Sequence, residues 1–212
     1  MELVLYGAEL IGTIAFALSG TLLAIQKKLD IFGMLVLSVT TALGGGTIRD
    51  LLLGHTPPRM FYSFEYVGLA VAVTLIVFLA AKITHKRDFV FSRQMDFFYI
   101  LCDAVGLGIF SVVGTQAGIA AGFGSNAFLC IFLGMLTGVG GGILRDMMCG
   151  DIPGVLCRHV YAVAAILGGG VFYVLSRLDV DGTAASLVAM SATVVLRLLA
   201  WHYKWNLPRV ED

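Results

Sequence analysis

Apolar positions run along this chain in blocks too long for a buried helix face, separated by short polar breaks. Reading block by block gives spans near Val4–Ile25, Ile31–Gly54, Tyr66–Ile83, Phe97–Gly118, Ala127–Gly150, Val160–Leu175 and Thr183–Trp201. About 20 residues at 1.5 Å rise per residue cross a hydrocarbon core of roughly 30 Å, so each block has the length of a membrane helix. Barrel strands would instead alternate polar and apolar residues over about ten positions. The connectors, such as "QKKLD", "AGFGSN" and "SRLDVDG", are too short for a soluble domain. The pattern therefore predicts an all-α integral membrane protein, one transmembrane domain over residues 1–212, with seven transmembrane helices.

Composition agrees: of 212 residues 58% are hydrophobic and 13% charged, about half the charged share of a soluble domain. The net charge is zero, which gives no bulk attraction for nucleic acid. The N-terminus lacks a basic leader and its apolar run exceeds signal-peptide length, so it reads as a retained first span. Basic residues divide unequally between the two faces. Arg59 and Arg177 fall on the face of the N-terminus, while Lys27, Lys28, Lys82, Lys86, Arg87, Arg93, Arg158, Lys204 and Arg209 fall on the other. Positive residues mark the cytoplasmic side, so the N-terminus is expected outside and the C-terminus inside, with Trp201, Tyr203 and Trp205 as an interfacial anchor.

Two segments break the apolar pattern in the same way: "GGGTIRDLLLGHTP" from Gly44 and "GGGILRDMMCGDIP" from Gly140. Earlier residues also correspond, with Glu9, Gly12, Phe16, Gly20 and Thr21 matching Asp103, Gly106, Phe110, Gly114 and Thr115. Arg59 and Tyr62 have the spacing of Arg158 and Tyr161. The likeness thus covers two three-span units, residues 1–83 and 95–176, with a seventh helix near 183–201 left over. An odd number of spans per unit inverts the second copy relative to the first, and such folds place a pathway or site at the repeat interface.

Three successive glycines weaken a helix and leave its backbone uncovered. One reading is close helix packing, as at the small-xxx-small stretch Gly134–Gly138. The other, taken here as the expectation, is a kinked and opened helix in spans two and five, whose freed carbonyls and amides face a wet cavity. The candidate pathway residues are then Gly44, Gly45, Gly46, Arg49 and Asp50, with Gly140, Gly141, Gly142, Arg145 and Asp146. Glu9 and Asp103 add carboxylates toward opposite mouths. Intramembrane charges cost about 3 to 17 kcal/mol when isolated and commonly mark a pathway or a partner, although structural ion pairing and snorkelling are the alternatives. Neighbouring helix positions point roughly 100° apart, so Arg49 and Asp50 are expected to seek other partners, Arg49 reaching a carboxylate near Asp146 or freed carbonyls of the other half. Thr40, Thr41 and Thr137 could line a path or return to their own backbone.

Cys102, Cys130, Cys149 and Cys157 lack metal-ligand spacing and read as small core residues. His55, His85, His159 and His202 are scattered. No resident metal, no cofactor and no enzymatic activity are expected; only transient cation sites at the glycine breaks are.

Duplicated GGGxxRD followed by Gly and Pro, in a seven-span chain of three-plus-three repeats, resembles the bacterial relatives of the trimeric intracellular cation (TRIC) channels. The resemblance covers nearly the whole chain. It implies a homotrimer in the bacterial inner membrane, each protomer with its own pore lined by spans two and five, passing potassium and other monovalent cations. Eukaryotic members are associated with phosphoinositides through basic residues for which this sequence has no specific counterpart, so membrane lipid is a partner only in the general sense. Bacterial relatives also carry a glycine-transporter description. A zwitterion could set its carboxylate against Arg49 and its ammonium against Asp50 or Asp146. A secondary transporter of glycine or another small amino acid is thus the alternative to a channel.

Overall fold

The computed structural model describes residues 2–84, 93–157 and 160–205. Its long helices are α1 (Glu2–Gln26), α2 (Ile31–Leu52), α3 (Phe64–Thr84), α4 (Arg93–Gly118), α5 (Ala127–Met148), α6 (Tyr161–Arg177) and α7 (Gly182–His202). Single helical turns at Arg59–Phe61 and Gly154–Cys157 precede α3 and α6, and α4 runs into a π turn over Ile119–Phe123. Six of the long helices have the length and apolarity to cross a membrane, whereas α6 is apolar but has 17 residues. The chain is a multi-pass helical membrane protein. His85, Lys86, Arg87, Arg158, His159 and Arg209 lie outside the described residues.

Helix ends follow from local chemistry and recur between the halves. Asp30 accepts a hydrogen bond from the Gly33 amide at 2.7 Å, and Asn126 accepts one from the Leu129 amide at 3.0 Å. Each side chain satisfies an amide that the first helical turn leaves without a partner. At the other end, Gly54 and Gly150 adopt φ of +74° and +71°. This left-handed step lets the His55 amide reach the Asp50 carbonyl and the Asp151 amide reach the Asp146 carbonyl, both at 2.9 Å. Gly serves there because it carries no Cβ to clash.

The centre of the bundle is the crossing of α2 and α5, and it corrects one expectation. Residues 31–52 and 127–148 are α-helical throughout, glycine runs included, so neither run opens its backbone. The glycines serve packing instead. A Cβ on Gly45 would strike the Thr137 carbonyl, and a Cβ on Gly141 would strike the Thr41 carbonyl, so the two contacts mirror each other. Backbones this close shield one another, and the amides keep their intrahelical partners.

The flanking helices repeat the logic. Gly12 faces Phe110 and Gly106 faces Phe16, and the two rings stack with centroids 5.3 Å apart. Gly20 abuts α2 at Leu37 and Thr41, while Gly114 abuts α5 at Leu133 and Thr137. Thr41 and Thr137 donate to the carbonyls of Leu37 and Leu133, each at 2.6 Å, and so return to their own helices. Cys102 and Cys130 are buried core residues as expected, but Cys157 is exposed.

Gly45→Ala and Gly141→Ala are each expected to cost about 1–3 kcal/mol by overpacking the crossing. Gly68→Ala, where an added Cβ meets nothing within 4 Å, is the control. Thermal unfolding of purified protein in detergent should place both crossing variants below wild type and the control at or above it; equal midpoints for all four proteins would refute the packing role.

Candidate functional site

Glu9, Arg49 and Asp50 come together at the C-terminal end of α2, and Asp103, Arg145 and Asp146 come together at the C-terminal end of α5. The two helices run antiparallel: Lys27, just before α2, forms an ion pair at 2.5 Å with Asp151, just after α5. The two charged groups therefore sit at opposite ends of the crossing. The glycine runs lie between them.

Each Arg–Asp pair closes on itself, against expectation. Arg49 donates from Nε and Nη2 to Asp50 Oδ1 at 2.9 and 2.7 Å. Arg145 donates from Nε to Asp146 Oδ1 at 2.9 Å, with Nη2 also at 2.9 Å. The roughly 100° step between neighbours is overcome because the arginine side chain is long enough to curl around the helix and present the guanidinium edge. The second carboxylate oxygens then tie down the following loops: Asp50 Oδ2 accepts from the Arg59 amide at 3.0 Å, and Asp146 Oδ2 from the Gly154 amide at 2.8 Å. One aspartate thus neutralises a buried cation and also fixes the entry to the next helix. The expected pairing of Arg49 with the Asp146 region, or with freed carbonyls, does not occur.

The halves differ in what else the arginine touches. Arg145 also donates to Asp103 at 2.8 Å and to the Ser19 hydroxyl at 2.5 Å, and it lies 5.2 Å from the centre of the Tyr99 ring. Ser19 belongs to α1, so this hydroxyl contact crosses from one repeat to the other. On the other side Glu9 turns to the Tyr66 hydroxyl at 2.5 Å and to Arg59 at 3.8 Å. Val113 stands where Ser19 would be mirrored, and Leu5 stands where Tyr99 would be. Neither can bond a guanidinium.

Both groups line chambers. The first is about 830 Å³ and is bounded by Leu5, Tyr6, Glu9, Arg49, Asp50 and Tyr62 together with the end of α4. The second is about 180 Å³ and is bounded by Tyr99, Ile100, Asp103, Arg145, Asp146 and Tyr161, the matching positions, together with Arg197 and Trp201 of α7. Arg197, buried at 4% exposure, was not singled out from the sequence. Its signal was present, a lone cation within the apolar run of the last span.

This architecture has close solved counterparts. A TRIC trimeric intracellular cation channel orthologue from Rhodobacter sphaeroides superposes with a TM-score of 0.85 at 31% identity, covering 95% of this chain and 99% of that one. A prokaryotic TRIC channel crystallised in 0.5 M KCl gives 0.86 at 32%, covering 98% and 100%. The family model described as "Glycine transporter" matches twice, over residues 6–82 and 100–177. This chain belongs to the bacterial TRIC family, whose family model bears that transporter description. Among its relatives, the UPF0126 inner membrane protein YadS of Escherichia coli K12 is 38% identical over 208 residues, 95% of each chain. A UPF0126 membrane protein of Vibrio cholerae is 35% identical over 207 residues, covering 96% of this chain and 82% of its own.

The asymmetry around the TRIC-family arginines sets the cost of losing an aspartate. Asp50→Asn keeps a carbonyl for the Arg59 amide but strips Arg49 of its carboxylate, a loss on the order of 3 kcal/mol for a broken buried pair. Asp146→Asn leaves Arg145 paired with Asp103, so it should cost distinctly less. Denaturant titration of both variants in micelles checks the order, and the reverse order would refute this account of the two pairs.

Proposed function

We propose that the protein is a potassium-permeable monovalent cation channel of the bacterial inner membrane. It assembles as a homotrimer with one pore per protomer, the N-terminus outside and the C-terminus in the cytoplasm. The observation that carries the reading is the full-length match to solved TRIC channels, one of them from work on conductance through TRIC cation channels, at 36% identity over 97% of this chain and a TM-score of 0.83. In this reading α6 is the sixth span, since 17 residues give roughly 26 Å of helix, at the short end of the spanning range.

The conduction path runs along α2 and α5, from the chamber at Glu9 to the chamber at Asp103. Carboxylates at both ends, Glu9 and Asp50 and then Asp103 and Asp146, favour cations, and the self-paired arginines shape the local field. Gly44 and Gly45 against Gly140 and Gly141 form the closed contact that must part for ions to pass, while Gly46 and Gly142 lie beside Arg49 and Arg145. Two smooth glycine faces can slide or separate without side chains unlocking, which suits a gate. A channel needs weak, wet sites that ions can leave, and two small charged chambers meet that need better than one tight cage.

Planar-bilayer recording under a potassium gradient tests this directly. Unitary currents reversing near the potassium equilibrium potential are expected, and Glu9→Gln or Asp103→Asn should lower unitary conductance about twofold or more as one attracting charge is lost. Saturable counterflow of labelled glycine in proteoliposomes, without unitary currents, would overturn the channel reading in favour of a transporter.

A further inference from the structure

The two chambers are lined by six matching pairs of positions, Leu5/Tyr99, Tyr6/Ile100, Glu9/Asp103, Arg49/Arg145, Asp50/Asp146 and Tyr62/Tyr161. Their volumes nonetheless differ, at about 830 and 180 Å³. α7 accounts for part of the difference, because it has no counterpart in the first half and inserts Arg197 and Trp201 into the second chamber.

Its seat is specific to that half. A Cβ on Gly108 would press on the Met190 carbonyl, and a Cβ on Gly168 would strike the Thr193 hydroxyl. At the matching places of the first half stand Ile14 and Leu69, which would block such an approach. Ala189, Thr193 and Arg197 follow one another a turn apart along the buried face of α7. The Arg197 guanidinium lies 4.7 Å from the centre of the Tyr161 ring, and Trp201, one turn further, packs 5.5 Å from Phe97. A cation held this deep in an apolar span is costly, and packing alone would be served as well by leucine or methionine.

Its electrostatic effect follows from the lining. Among the described residues, Asp103 and Asp146 face Arg145 and Arg197, so the charges of the second chamber balance. The first chamber has the same count, Glu9 and Asp50 against Arg49 and Arg59, but the Arg59 side chain is exposed and its field is screened by water and salt, whereas Arg197 is buried. Arg145 already bonds both Asp103 and Asp146, at 2.8 and 2.9 Å. Without Arg197 the lining would carry one net negative charge and would draw cations into a space of about 180 Å³.

We propose that Arg197 is a permeation-setting residue, a fixed positive charge carried by the unrepeated helix that restrains cation entry through the narrow chamber and makes current depend on its direction. The inference rests on the channel reading. It predicts that wild-type channels in symmetric dilute KCl pass less current when potassium enters from the α7 end than from the Glu9 end. The asymmetry should fade as salt rises toward 1 M, where the screening length shrinks to about 3 Å. Arg197→Gln should raise unitary current from the α7 end about twofold or more while changing the opposite direction less, and Arg197→Lys should stay near wild type. Trp201→Ala widens the chamber without altering charge, so it should raise current in both directions and leave the salt dependence in place.

A linear, salt-insensitive current–voltage relation in wild type would overturn the proposal without any variant. So would an unchanged relation in Arg197→Gln protein that elutes as the wild-type assembly. Absence of any wild-type current in reconstituted protein would instead defeat the channel reading, and this inference with it.

Discussion

The structure depends on the approach of two backbones at the middle of the bundle. Gly45 lies against the Thr137 carbonyl and Gly141 against the Thr41 carbonyl, a contact with no room for a methyl group on either side. In lipid, helices gain little from burying apolar side chains against each other, so close backbone packing is what holds such a crossing together. The stacked Phe16 and Phe110 rings, and the mirrored seats of Gly20 and Gly114 on α2 and α5, extend the contact outward. Two half-chains of similar sequence thereby become one bundle with a chamber at each end of the crossing.

The charges are arranged so that this bundle can tolerate them. Each arginine that follows a glycine run bonds the aspartate beside it, and the same aspartate holds the next loop through its other oxygen. A buried ion pair of this kind does little for stability by itself, since desolvation offsets much of its attraction, yet removing one partner is costly. The arrangement therefore fixes position more than it adds strength. It keeps polar groups at chamber depth.

Departures from symmetry give the molecule direction. Ser19 opposite Val113, Tyr99 opposite Leu5, and Gly108 and Gly168 opposite Ile14 and Leu69 are small changes in sequence. They give Arg145 a hydroxyl and a ring that Arg49 lacks, and they open a berth for α7 on one side only; Asp103 bonds Arg145, whereas its counterpart Glu9 turns to Tyr66 and Arg59. The consequence is one wide chamber and one narrow one.

The sequence by itself determined the helical membrane class, the places of the long helices to within a few residues, and the duplicated charged motif, because span length and repeated spacing are local properties of the chain. It also held the signals that end α2 and α5 at Gly54 and Gly150, since a left-handed turn is a matter of one residue's backbone. Which of two roles the glycine runs play was decided only by the fold: a bare helix face opens to water or packs on a neighbour according to what stands opposite, and here a second glycine run does. The pairing of Arg49 with its own neighbour Asp50 was likewise beyond spacing rules, which fix the direction of the Cα–Cβ bond but not where a long, flexible side chain ends. Arg197 stood in plain view as a cation in an apolar run, but its chamber, its ring partner and its opposing carboxylates come from α4, α5 and α6, and only their assembly gives that charge a place to act.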